Sequence, residues 1–173
     1  KLNKIEKFKK YNDERNILSL STTHLSAYIK FGCISIREVY YKLKEKLGNK
    51  NQLISQLHWR DFYYNICFYK PHVIGNSLKE KYDKIKWEND SKLFKKWKEG
   101  RTGYPVVDAC MTELNTTGYM HNRGRLIVAS FLVKILLIDW RKGEKYFATK
   151  LTDYDVSVNN GNWQWVAGTG ADS

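Results

Sequence analysis

Apolar residues recur along this chain mostly at three- and four-residue intervals, the spacing that lines one face of an α-helix. Ile36, Val39, Tyr40, Leu43 and Leu47 share one such face, Ser35 and Glu38 have capping-box spacing, and Gly48 closes the run. A shorter helix is predicted over 22–30, opened by hydroxyl residues and followed by Gly32. Another is predicted over 52–69, ended by Pro71, and one over 91–99, stopped by Gly100. Pro105 opens the next, which Thr116, Thr117 and Gly118 terminate. Residues 125–139 are apolar nearly all round and predict a central buried helix. The last helix is expected over about 144–152. The stretch 70–90 reads as a connecting segment, and the tail bearing Asn159, Asn160, Gly161, Gly168 and Gly170 reads as loop. The pattern therefore predicts an all-α helical bundle, a single domain over 1–173 with no internal repeat.

Composition narrows the class. The 173 residues are 42% hydrophobic and 14% aromatic, which suffices for one core and excludes a disordered basic tail. Thirty Lys and Arg against 18 Asp and Glu give a net charge of +12, so a polyanion is the first partner expected; membrane surface, RNA and DNA all qualify. Cys33, Cys67 and Cys110 form no CxxC pair, which points away from a disulfide framework or zinc site and towards an intracellular, reducing compartment. No signal peptide is evident, and the longest apolar stretch, 126–140, is interrupted by Lys134 and Asp139 and too short to span a bilayer. The chain starts on Lys1 and stops at Ala171-Asp172-Ser173, which reads as a piece of something longer.

Three constellations could carry chemistry. In Met120-His121-Asn122-Arg123-Gly124-Arg125, two arginines at a helix N-terminus oppose the dipole and need an anion, either an intramolecular carboxylate or a bound phosphate. Asp153-Tyr154-Asp155 could be turn or capping residues, and a carboxylate there is the natural partner for Arg125; Val158 stands where a calcium loop needs Gly. Six tryptophans, Trp59, Trp87, Trp97, Trp140, Trp163 and Trp165, are unusual in so small a domain; core packing explains most tryptophans, but Trp163-Gln164-Trp165 lies among Asn and Gly, where aromatics beside basic residues suit stacking on an unpaired base. The scattered His24, His58, His72 and His121 make no hydrolytic triad and no metal-ligand spacing, and Gly168-Thr169-Gly170 makes neither a Rossmann nor a P-loop fingerprint. No metal is expected.

Five collinear segments go further. Thr22-Thr23-His24-Leu25-Ser26-Ala27-Tyr28, Gln56-Leu57-His58-Trp59-Arg60-Asp61-Phe62-Tyr63, Gly100-Arg101-Thr102-Gly103-Tyr104-Pro105, Met120-His121-Asn122-Arg123 and Asn159-Asn160-Gly161-Asn162-Trp163-Gln164-Trp165 occur in the order found in the photolyase/cryptochrome family. From about Tyr11 onward the chain resembles the FAD-binding helical domain of class I cyclobutane pyrimidine dimer photolyases. The resemblance implies FAD in a helical domain, damaged DNA as partner, a dimer flipped out of the stack, and light-driven electron transfer from reduced FAD that splits it. It implies a monomer with no membrane partner, found wherever DNA is. An antenna chromophore such as a folate or deazaflavin is expected only of a full-length relative, since the family's N-terminal α/β domain is absent here, as is the Tyr-Phe-Arg-Ile-Phe-Asn-Pro segment expected after Ser173.

Position by position, the resemblance assigns Tyr11, Thr22, Thr23, His24, Leu25 and Ser26 to the flavin's diphosphate and ribityl portion. Arg125 and Asp153 match the pair beside the isoalloxazine ring, Asp155 contacts the ring from the same loop, Tyr154 between them belongs to the cofactor-binding set, and Asn159 matches the residue near flavin N5. That asparagine is common in photolyases where plant cryptochromes have aspartate. Trp59 and Trp165 match the walls of the dimer pocket, and Arg15, Arg60, Asn122 and Arg123 match DNA-contacting or pocket residues. Trp163, Trp140 and Trp87 match the electron relay, from flavin to surface, which leaves Trp97 to packing. Gln56 stands where class I enzymes often carry glutamate and where the (6-4) branch has glutamine, whereas Met120-His121-Asn122-Arg123 favours the dimer enzymes and is weighted above it. Tyr119 replaces a common tryptophan. The alternatives implied are a (6-4) photolyase, a cryptochrome-type blue-light photoreceptor, and a DNA-binding remnant without FAD.

Overall fold

A computed structural model describes residues 2–171; Lys1, Asp172 and Ser173, which enter the reading of a longer parent, lie outside the described residues. The described residues contain helices and no strand, as the periodicity requires. They form two compact units, residues 1–62 and 63–173.

In the first unit a 3-10 segment, Leu2–Phe8, precedes α1 (Tyr11–Glu14), α2 (Ser26–Lys30) and α3 (Ile36–Leu47). α4 (Gln52–Tyr69) starts here and ends in the second unit. Ile5, Phe8, Leu25, Val39, Leu43, Leu53 and Ile54 make the core. The predicted helix over 22–30 shrinks to its last turn and a half, because His24 takes a left-handed φ of 50° that no α-helix tolerates. Buried Asn51 ties the start of α4 back to the first segment, donating Nδ2 to the Phe8 carbonyl at 3.4 Å while its Oδ1 accepts from the Leu53 amide at 3.0 Å.

The second unit holds α5 (Ser91–Lys98), α6 (Pro105–Thr117), α7 (Asn122–Ser130), α8 (Trp140–Lys150) and α9 (Val156–Ala167). Side chains cap α5, α7, α8 and α9: Asp90, His121, Asp139 and Asp155 each accept amides of the first turn. The loop of the Gly-Arg-Thr-Gly-Tyr-Pro segment is folded by Asp108, which accepts from Thr102 N (2.7 Å), Thr102 Oγ1 (2.6 Å) and Gly103 N (2.9 Å).

Two further expectations need correction. The apolar run 125–139 is not one helix: α7 widens into a π turn over Phe131–Ile135, with Leu136 N bonded to Phe131 O at 3.0 Å, and the chain reverses at Leu137, whose φ is 52°. The tail expected as loop is α9, a three-turn helix capped by Asp155. Gly161 lies so close to the Tyr63 ring that a Cβ would come within 2.1 Å of it, and Gly143 on α8 lies equally tight under Trp163.

The core of this unit is aromatic. Trp97, fully buried, donates Nε1 to the Val128 carbonyl at 3.0 Å and is surrounded by Phe94, Tyr146, Phe147 and Trp163 at centroid distances of 5.8–6.3 Å. Gln164 then pins α9 to the connecting segment. Its Nε2 donates to Val73 O, Asn76 O and Asn160 Oδ1 at 2.8–3.0 Å, and its Oε1 accepts the Leu78 amide at 2.9 Å. Arg141 holds the same segment from α8 through Asp83 and, at 2.7 Å, the Gly75 carbonyl.

Candidate functional site

Polar chemistry in the second unit gathers at the starts of α7 and α9 and along α8. Arg125, in the first turn of α7, places a cation at the positive end of a helix dipole. Asp153 offsets that cost: Arg125 Nη2 lies 3.1 and 2.9 Å from its two carboxylate oxygens, and Nε donates to the Met120 carbonyl at 2.9 Å. The Asp153 side chain is 4% exposed, so without Arg125 its carboxylate would be a costly buried charge. The carboxylate that the chemistry of Arg125 demands is thus supplied by the loop after α8.

Asn159, in the first turn of α9, donates Nδ2 to Glu144 Oε1 at 3.0 Å and to the Glu144 carbonyl at 3.3 Å. The Tyr154 hydroxyl reaches the same Oε1 at 3.5 Å. With its amide nitrogen committed, Asn159 keeps its carbonyl oxygen, an acceptor, for another group. Burial pushes the Glu144 carboxyl above the ordinary carboxylate range, against the bonds from Asn159 and Tyr154, which pull it down. Burial, and then the charge of Glu144, push the Tyr154 phenol up as well. Asp155 caps α9 through Ser157 N and Val158 N, both at 3.1 Å, and accepts from the Tyr64 hydroxyl.

Asn122 and Arg123 open α7 after His121, whose Nδ1 accepts the Arg123 amide at 3.1 Å. Asn122 is exposed and Arg123 half-buried. The tryptophans divide sharply. Trp140 and Trp163 are 1% and 2% exposed, Trp87 is half-buried against the same core, and Trp165 on α9 is 49% exposed. The ring partners of Trp163 are Trp97 and Phe147, so Trp97 combines packing with direct contact to the innermost assigned relay residue.

In the first unit, Leu25 is buried and anchors the segment Thr22 to Ser26, while Thr22, Thr23 and His24 are half-buried and Ser26 is exposed at the start of α2. Thr23 Oγ1 accepts the Leu25 amide at 3.4 Å, and Tyr11 packs against the core. Arg15 donates to Gln52 Oε1, and Gln56 Nε2 donates to the Gln52 carbonyl at 3.3 Å, which aligns these three residues along one side of α4. Trp59 is 54% exposed and meets Phe62 edge-on at 5.4 Å. Arg60 pairs with neighbouring Asp61 at 3.0 Å.

Comparison with known proteins identifies the family. Residues 53–173 match the family described as the FAD binding domain of DNA photolyase. A deoxyribodipyrimidine photo-lyase of Buchnera aphidicola subsp. Baizongia pistaciae is 44% identical over 96% of this chain, which spans 36% of that relative. Among solved structures, a bacterial class III photolyase from Agrobacterium tumefaciens superposes with a TM-score of 0.92 at 41% identity, over 99% of this chain and 37% of that one. An archaeal photolyase from Sulfolobus tokodaii, determined with two FAD molecules, gives 0.87 at 47% identity, over 95% and 40%. The chain belongs to the photolyase FAD-binding domain family, and it spans little more than a third of the length of the curated relatives it matches.

Glu144 and Gln164 are the polar residues whose roles no motif announced. For Glu144 a signal existed: with Trp140 and Phe147 it lies at i, i+4, i+7, a carboxylate on the apolar face of α8. For Gln164 there was none, because three of its four partners are backbone groups far away in sequence.

Proposed function

We propose that this chain is the flavin-holding helical part of a light-driven DNA-repair enzyme acting on cyclobutane pyrimidine dimers. The observation that carries the reading is the orientation of Asn159: its nitrogen is bound to Glu144, so its oxygen remains to accept an N–H from a ligand ring. A reduced flavin offers such an N–H at N5, and the donor set fits FAD on that ground. Arg125, fixed by Asp153, would help hold the flavin ring and would offer it N–H donors that need no rearrangement at the moment of reaction. Thr22, Thr23, His24 and Ser26 in the first unit have the hydroxyl and imidazole chemistry that a diphosphate takes. When bound, the photoexcited reduced FAD supplies the electron that opens the cyclobutane ring.

The chain's own residues do the rest. Trp59 and Trp165 each present a half-exposed indole face on which a flipped pyrimidine can stack. Gln56 donates a hydrogen bond to the dimer but cannot act as an acid. Arg15, Arg60, Asn122 and Arg123 engage phosphate and base edges, which suits the net charge of +12. Trp163, Trp140 and Trp87 are the oxidisable path from the buried core to the surface.

The test combines two readouts on the 173-residue protein. Incubated with FAD, it should retain protein-bound flavin absorbance through gel filtration, and after reduction it should remove thymine dimers from an oligonucleotide only under blue light. Asn159→Ala should weaken flavin retention, and Trp165→Ala should weaken binding of dimer DNA at least tenfold more than binding of undamaged DNA. Absence of bound flavin together with absence of light-dependent dimer loss would overturn the reading.

A further inference from the structure

The first unit carries an aromatic and cationic stripe that the flavin and dimer assignments leave unused. On α3, Arg37, Tyr41 and Lys44 are spaced i, i+4, i+7 and so fall on one outward line, away from the buried Val39 and Leu43. Tyr41 is 67% exposed. Its ring meets Tyr40 edge-on at 5.5 Å, and Tyr40 lies 6.3 Å from the exposed imidazole of His58 on α4. Three rings therefore lead from the outer face of α3 to α4.

The charge around these rings is positive. Arg37 and Lys44 make no ion pair or hydrogen bond with a described side chain, whereas Glu45 is drawn off by Lys42 at 3.1 Å and Lys46 at 3.6 Å. Those bonds, that to Lys42 foremost, hold the Glu45 carboxyl below its usual range. Glu38 is the remaining acid of α3 and sits a quarter-turn to the side. Residues 1–62 as a whole contain 13 Lys and Arg against 6 Asp and Glu, an excess concentrated in the smaller unit.

We propose that Arg37, Tyr40, Tyr41, Lys44 and His58 form a second nucleic-acid contact that takes an unpaired stretch of DNA, bases on the rings and phosphates on the cations. Basic residues alone would accept any polyanion; the exposed rings of Tyr41 and His58, backed by Tyr40, which is half-buried against the core, select unpaired bases, whose faces a duplex keeps stacked on one another. The proposal rests on the DNA-directed role above and extends it beyond the dimer pocket.

The experiment uses the intact 173-residue protein in the dark, with fluorescein-labelled oligothymidylate and a blunt duplex of equal length, neither containing a dimer. Tyr41→Ala should weaken oligothymidylate binding about tenfold and leave duplex binding within about twofold, while Tyr41→Phe should bind like the parent. The double variant Arg37→Gln/Lys44→Gln should lower the salt slope by about 1.4, the share of two phosphates on a single strand. Circular dichroism of each variant should match the parent, since these side chains face outward. Unchanged oligothymidylate binding in Tyr41→Ala, equal losses on both nucleic acids, or competition by polyglutamate as effective as by unlabelled oligothymidylate would overturn the proposal. Flavin retention and light-dependent repair are read separately: failure of repair with this binding pattern intact counts against the repair reading alone, and repair intact with the pattern absent counts against this one alone.

Discussion

Residues 1–62 and 63–173 bury their apolar surface in contrasting ways. The first unit closes over a small, mainly aliphatic cluster and turns Trp59, Tyr41 and Phe31 outward. The second stacks Trp97, Trp140, Trp163 and Phe147 inside and locks the helix that carries Asn159 and Trp165 with a buried glutamine. Aromatic rings and buried amides tolerate little displacement, because both lose packing or hydrogen bonds when a neighbour moves by a fraction of an ångström. The second unit is thus built to hold Arg125, Asp153 and Asn159 in fixed geometry. The first carries the denser positive charge, 13 Lys and Arg against 6 Asp and Glu.

That contrast can be broken at several points. The largest effect is expected from Trp97→Ala, which should cost about 3–5 kcal/mol in urea unfolding followed by tryptophan fluorescence; an equal or larger loss from Leu43→Ala in the smaller core would erase the distinction. Gln164→Leu should cost about 2–3 kcal/mol by leaving the Val73 and Asn76 carbonyls without a donor, against about 1–2 kcal/mol for Asn51→Ala. Hydrogen exchange at the Leu78 amide should accelerate in the first variant and stay put in the second. Gly143→Ala should cost about 1–3 kcal/mol, since its new methyl would stand 2.3 Å from Trp163 Cη2, and near-ultraviolet circular dichroism should report the displaced indole.

The smallest effect is a pH dependence. The Glu144 carboxyl is raised above 4.5 in the folded state, chiefly by burial, so the native protein holds its proton where the unfolded chain has released it. This group's contribution to stability is greatest below the unfolded value and declines as pH rises through the folded one. Glu144→Gln should remove that decline, and its stability relative to the parent should grow across the window above 4.5; a constant difference would sink the assignment.

Much of this was legible in the chain. Apolar spacing placed α3 through α6 within a residue or two, and the charge logic of Arg125 pointed to the loop containing Asp153. Other parts were hidden for definite reasons. Asn159, Asn160, Gly161 and Gly168 are poor helix formers, so local propensity argued for a loop over 156–167, while the cap of Asp155 and the fit of Gly161 against Tyr63 made a helix of it. The end of α7 was hidden in the opposite sense: an unbroken apolar run gives no sign of where its chain reverses at Leu137. Glu144 could have been suspected from its place on an apolar face, yet its bond to Asn159 joins residues on two helices.

By itself the sequence determined the all-helical class, the positive excess, the pairing demand of Arg125 and, through five collinear motifs, the family. These follow from periodicity, net charge and residue order, which are properties of the chain before it folds. Tertiary structure alone decided which tryptophans are interior and which present a face, that Asn159 is turned by Glu144, and that Gln164 bonds Val73, Asn76 and Leu78. Each of those depends on groups far apart in sequence meeting within a hydrogen bond or a ring contact, and only a packed core brings them there.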